Sequence, residues 1–118
     1  MGHLSSIVKS GGQAAFILQI ARHSPESCPA YEKKYRAMTV KWYEKVESLA
    51  AKHKVKVVGV WNDHPAHTVY AIYDTPSMDA FMELSMEPEW MAPMAFCTGQ
   101  IKPVFDAKTT LLMLKGAK

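Results

Sequence analysis

Three short segments of this chain are apolar on both of their alternating faces, and this restricts the fold more than any other feature. Between Ala14 and His23, Phe16, Leu18 and Ile20 alternate with Ile17 and Ala21. The run is short and stops at Ser24-Pro25, so it predicts a strand buried on both faces. Val55–Trp61 is β-branched and behaves alike, with Val55 and Val57 alternating against Val58 and Val60. His67–Tyr73 completes the set, after a turn at Asn62-Asp63-His64-Pro65-Ala66. A sheet made of such strands needs a cover on each side.

The cover on one side is legible. Tyr31, Tyr35, Met38, Trp42, Val46, Leu49 and His53 recur at spacings of 4, 3, 4, 4, 3 and 4, which is one helical stripe. The spacing predicts a helix over 29–52, with Pro29 first and Ser27 or Cys28 as its cap. A second helix is predicted to start at Thr75-Pro76, with Met78, Phe81, Met82, Ser85 and Met86 inward. Pro88 interrupts it, and 89–94 predicts a short further turn. Gln100–Phe105 reads as the last main strand, and Thr109–Leu114 as a fifth short one.

Strand, helix, strand, strand, helix, strand is the split βαβ, or ferredoxin-like, α+β pattern. Its antiparallel four-stranded sheet has the order fourth, first, third, second. Pro103 suits this order, because proline is tolerated on an edge strand. Two helices cover one face only, so the other predicts a homodimer, or a larger homo-oligomer, packed sheet on sheet. Residues 1–13 read as a polar arm and 14–118 as a single domain.

The 118 residues suffice for one core, not two. With 48% hydrophobic and 21% charged residues, the chain is neither a disordered tail nor a disulfide scaffold. No apolar run approaches a membrane span. The net charge of +3 is mild, and the basic residues of the first helix alternate with Glu32, Glu44 and Glu47, which argues against nucleic acid. Two cysteines, Cys28 and Cys97, and no secretory segment lead to a cytoplasmic expectation.

Two segments, Gly59-Val60-Trp61-Asn62-Asp63 and Ile101-Lys102-Pro103-Val104-Phe105, carry a resemblance. With the length and element order, they make 14–114 similar to the dimeric α+β-barrel superfamily, and to an uncharacterised group within it. That superfamily includes small antibiotic-biosynthesis monooxygenases, stress-responsive barrel proteins and muconolactone-isomerase-like enzymes. The resemblance implies a ferredoxin-like fold and a homodimer. It carries over no catalytic residue, because those enzymes differ in chemistry and no motif specific to one of them is present.

The expected topology gathers His23, Cys28, His64, His67, Met86, Trp90, Met91, Met94 and Cys97 near one end of the sheet. Three readings stay open. The first is a metal site of His23, His64 and His67, whose donors suit Zn or Cu. The second is a cofactor-independent monooxygenase- or isomerase-type enzyme on a small apolar substrate. There His23 or His67 is the acid or base, and Tyr35, Trp42, Phe81 and Met82 form the pocket. In the third these are polar loop residues with methionines filling gaps, and a self-assembling structural subunit is then a further class. The leading expectation is a metal ion or small molecule bound near His23 and His67. Cys28, expected at a helix N-terminus, is either a stabilised thiolate or an inert capping residue. His53 continues the helical stripe and reads as structural.

Overall fold

A computed structural model describes residues 15–117. The arm at 1–13 lies outside them. Strand β1 (Ala15–His23) leads through a 3-10 turn (Pro25–Ser27) into helix α1 (Lys33–Lys52). The hairpin of β2 (Lys56–Asp63) and β3 (Thr68–Thr75) follows, then α2 (Met78–Ser85) and α3 (Pro88–Met91). A second 3-10 turn (Ala92–Ala95), β4 (Cys97–Val104) and α4 (Ala107–Gly116) complete the order. The sheet has four strands in the order β2-β3-β1-β4, the antiparallel ferredoxin-like arrangement with β4 and its Pro103 on the edge. No described helix is long and apolar enough to cross a membrane.

The register separates the two sheet faces. Ile17 lies opposite Tyr73, Gln19 opposite Ala71 and Ala21 opposite Val69, and this row faces the helices. The core there joins Ile17, Ala71 and Tyr73 to Val46, Leu49 and Ala50 of α1, Phe81 and Leu84 of α2, and Trp90 of α3. Phe16, Leu18, Ile20, Tyr70 and Ile72 form the opposite row and remain only half-buried.

A β-bulge changes β2 from its expected alternation. The register shifts between Val57 and Gly59, so Val60 joins Val57 on the helix side. An extra residue reverses the facing of everything beyond it. Trp61 thereby reaches the open face opposite Tyr70 and is 53% exposed. Its ring lies over Gly59, where a Cβ would run into it. Asn62 is turned toward the helices.

Several element boundaries also differ from expectation. Helix α1 begins at Lys33, capped by the Glu32 side chain, because the Cys28 carbonyl is taken by the N–H groups of Tyr31 and Glu32 in a preceding turn. Ser77, not Thr75, caps α2, and the Thr75 hydroxyl donates to the Ser77 carbonyl. Thr109–Leu114 is helical rather than a fifth strand. Asp106 accepts from the Thr109 N–H at 2.8 Å, and the run Leu111-Leu112-Met113-Leu114 lacks the polar alternation of a half-buried strand. Strand β4 starts at Cys97, three residues before the predicted Gln100.

The inner face of α2 is Phe81 and Leu84, with Met78 partly buried. Met82 and Met86 are 53% and 70% exposed. Trp90 occupies the volume the methionines were expected to fill, its ring centroid 5.3 Å from Tyr73 and 6.3 Å from Phe81. Phe81→Ala is therefore expected to cost about 3–5 kcal/mol. Met82→Ala should stay within about 0.5 kcal/mol. Urea denaturation of the two variants checks both.

Candidate functional site

The site begins where β1 ends. The His23 N–H donates to the His67 carbonyl at 3.1 Å, tying the end of β1 to the residue before β3. His67 holds a left-handed backbone with φ of 52°, a conformation that costs a non-glycine residue about 1–2 kcal/mol. The position closes the turn, since its N–H donates to the His64 carbonyl at 3.1 Å. The His23 and His67 rings meet edge-on with centroids 5.2 Å apart.

Cys28 completes a cluster with them. Ser24 caps the 3-10 turn, and the Cys28 N–H donates to the Pro25 carbonyl at 3.3 Å. This turn buries the Cys28 side chain at the foot of β1. One ligating atom from each of His23, Cys28 and His67 lies within 4.8 Å of the other two. His23 Nε2 and His67 Nδ1 are buried and have no hydrogen-bond partner among the described residues. Such a group left unpaired costs about 1–3 kcal/mol. Burial, and then the neighbouring His67 and His64, hold the His23 pKa below the ordinary histidine value.

His64, expected as a third ligand, stands apart. It is exposed, and its ring centroid is 6.3 Å from that of His67. The tight turn holds it at the hairpin tip, where the Asp63 carboxylate accepts from the Ala66 N–H. Cys28 takes the place assigned to it. His53 is remote, bonded to Glu87 at 2.8 Å at the end of α1.

Beside the cluster lies a cavity of about 250 Å³ between the sheet and the helices. Gln19, Ala21, Ala71 and Val69 form its floor, Trp42 and Trp90 line the helix side, and His23 and Cys28 border it. The two indoles are 5.3 Å apart. Lys45 of α1 pairs with Glu89 at 2.9 Å, linking the helices that carry Trp42 and Trp90. Of the expected pocket residues, Trp42 lines this cavity. Tyr35 bears on it only through a stack on Phe96 at 4.4 Å. Phe81 is sealed in the core and Met82 is exposed, so neither borders the cavity; Trp90 stands where they were placed.

Two phenols orient the polar lining. Tyr73 is fully buried, and its hydroxyl donates to Gln19 Oε1 at 2.7 Å. Desolvation pushes its pKa far above the ordinary tyrosine value, so the hydroxyl keeps its proton. The Tyr43 hydroxyl donates to Asn62 Oδ1 at 3.1 Å. Cys97, opposite His23 on β4, also lines the cavity, and burial pushes its thiol up to about 11. Gln19, Tyr43, Asn62 and Cys97 were absent from the expected pocket. Gln19 had a signal, being the single polar residue inside an apolar strand; Asn62 had none, since the bulge alone turns it inward.

No protein-family model matches the chain. No curated protein matches its sequence. Solved structures do match its fold. Rv0793 from Mycobacterium tuberculosis superposes with a TM-score of 0.50 at 12% identity, over 79% of this chain and 99% of that one. This is a ferredoxin-like α+β fold. A candidate antibiotic biosynthesis monooxygenase from Caulobacter crescentus gives 0.49 at 13% identity, over 79% of this chain and 92% of that one. A nipsnap family protein of unknown function from Agrobacterium tumefaciens gives 0.46 at 14%, over 82% and 93%. At these identities the likeness concerns the fold alone.

The Tyr73–Gln19 bond makes a measurable demand. Gln19→Leu leaves a buried hydroxyl without its acceptor and is expected to cost about 1–3 kcal/mol. Adding Tyr73→Phe should recover most of that loss, and thermal denaturation of both variants reads the coupling.

Proposed function

We propose that this protein binds a transition-metal ion, Zn²⁺ or Cu⁺, through His23, Cys28 and His67, at the edge of a small-molecule cavity. The observation that carries the reading is the pair of buried, unpartnered imidazole nitrogens beside a buried thiol. Two imidazoles and a thiolate are the borderline-to-soft donors these ions prefer. Tetrahedral zinc places such donors roughly 3.3–3.8 Å apart, so the cluster closes by about 1 Å on binding. The left-handed backbone at His67 supports the reading, because strain of this kind gathers at functional positions. A bound ion supplies a Lewis-acidic centre, and His23 and Cys28 bring it to the cavity wall. The free thiols of Cys28 and Cys97 suit a reducing, cytoplasmic setting.

Untagged protein reconstituted with Zn²⁺ is expected to hold close to one equivalent by elemental analysis and to melt at a higher temperature than the metal-free form. Cys28→Ser and His67→Ala should lose both effects, whereas His64→Ala should keep them. Metal-free protein with an unchanged melting temperature after reconstitution rejects the reading.

We further propose that a second copy covers the open sheet face. Phe16, Leu18, Ile20 and Ile72 form its centre, and Trp61 and Tyr70 continue it across β2 and β3. A central apolar row of this extent on a two-layer fold supports burial against a like surface. Sedimentation equilibrium is expected to show a dimer at micromolar concentration, and Leu18→Lys a monomer. A wild-type monomer under the same conditions overturns this.

A further inference from the structure

The polar atoms of the cavity point to the kind of molecule it takes. The Tyr73 hydroxyl is buried, stays protonated and donates to Gln19 Oε1. Turning the Gln19 amide over would leave that proton without an acceptor, so the orientation is set by the core. Gln19 Nε2 is consequently free of the bond and available to the cavity. At a more exposed position the Tyr43 hydroxyl donates to Asn62 Oδ1, which leaves Nδ2 outside that bond. The Thr39 hydroxyl donates to the Tyr35 carbonyl and adds no third donor. Thus the two amides that line the cavity each keep an NH₂ group outside these tyrosine bonds.

The other walls narrow the class further. No Asp, Glu, Lys or Arg among the described residues lines the cavity. Apart from the histidines and a bound ion at the wall, an ionic ligand would find no countercharge there to offset its lost hydration. Ala21, Ala71 and Val69 make a low floor, and Trp42 and Trp90 present ring surface opposite. At about 250 Å³ the space falls just below the ~300 Å³ at which drug-sized pockets begin, which suits about two fused rings. Gln19 and Asn62 belong to β1 and β2, on either side of β3, so their donors approach the floor from opposite sides.

We propose that the cavity binds a neutral, flat aromatic molecule with a carbonyl oxygen at its edge, received by an N–H of Gln19 or of Asn62 according to which way round the molecule lies between the Ala21–Ala71 floor and the two indoles. This goes beyond metal binding and does not depend on it.

The test compares two probes of one shape, 2-acetylnaphthalene and 2-isopropylnaphthalene. Binding is titrated by NMR, following the side-chain amide resonances of Gln19 and Asn62 and the indole N–H resonances. The ketone is expected to bind about tenfold more tightly than the hydrocarbon, the ratio of one uncharged hydrogen bond. Its binding should shift the Asn62 or Gln19 amide signals. Asn62→Asp and Gln19→Glu each replace a donor by an acceptor while keeping an oxygen for the tyrosine, and together they should remove the preference. Asn62→Asp alone should lower it, which keeps the test decisive if the double variant does not fold.

His67→Ala separates this inference from the metal reading, since His67 does not line the cavity. That variant should keep the ketone preference after losing the metal. Equal affinity for the two probes overturns the inference, as does failure of the ketone to bind at its solubility limit. Metal uptake without ketone preference overturns it alone, leaving the metal site standing.

Discussion

A phenol sealed inside a protein must place its proton somewhere, and in this fold that requirement joins the core to the cavity. Tyr73 packs against Phe81 and Trp90 with no exposed surface, and its hydroxyl donates to Gln19 on the neighbouring strand. The bond crosses from β3 to β1, so it sits on the same face as the hydrophobic cluster. It converts a flexible polar side chain into a fixed one at the price of no buried charge. The ring cluster positions the hydroxyl, the hydroxyl orients the amide, and the amide gives that side of the cavity its donor character.

The bulge in β2 does comparable work on the other side. Without an extra residue near Val58, Trp61 would point into the helix layer and Asn62 away from it. With it, Trp61 joins the open apolar face and Asn62 meets Tyr43. One irregularity in a strand therefore adjusts two surfaces, the proposed subunit interface and the cavity wall. Gly59 belongs to the same device, because the Trp61 ring rests where any larger residue would carry its Cβ.

The histidine–cysteine cluster is built from backbone constraints. His67 is held by a left-handed turn, His23 by the final rung of β1, and Cys28 by consecutive turns before α1. None of the three depends on a side-chain hydrogen bond that would consume its ligating atom. His23 and Cys28, five residues apart, and the distant His67 are thus held with one ligating atom each close together. The indole pair and the cavity adjoin the cluster because Cys28 precedes the helix that carries Trp42.

Residues and spacing were sufficient for the architecture. The two-faced apolar runs and the seven-residue stripe of the first helix pointed to the ferredoxin-like order of elements through β4, and Pro103 agreed with its edge position, whereas the helix after β4 was expected as a strand. Those features depend on periodicity and on missing backbone donors, which are local properties of a chain. His23 and His67 were likewise placed together by strand direction alone. Local rules could not decide where an extra residue would enter β2, or that Trp90 would fill the space assigned to Met82 and Met86. Nor could they show that Cys28, rather than His64, would stand beside the two histidines. Each of these outcomes is a competition for one volume or one donor between residues distant in sequence, and only close packing in three dimensions resolves it.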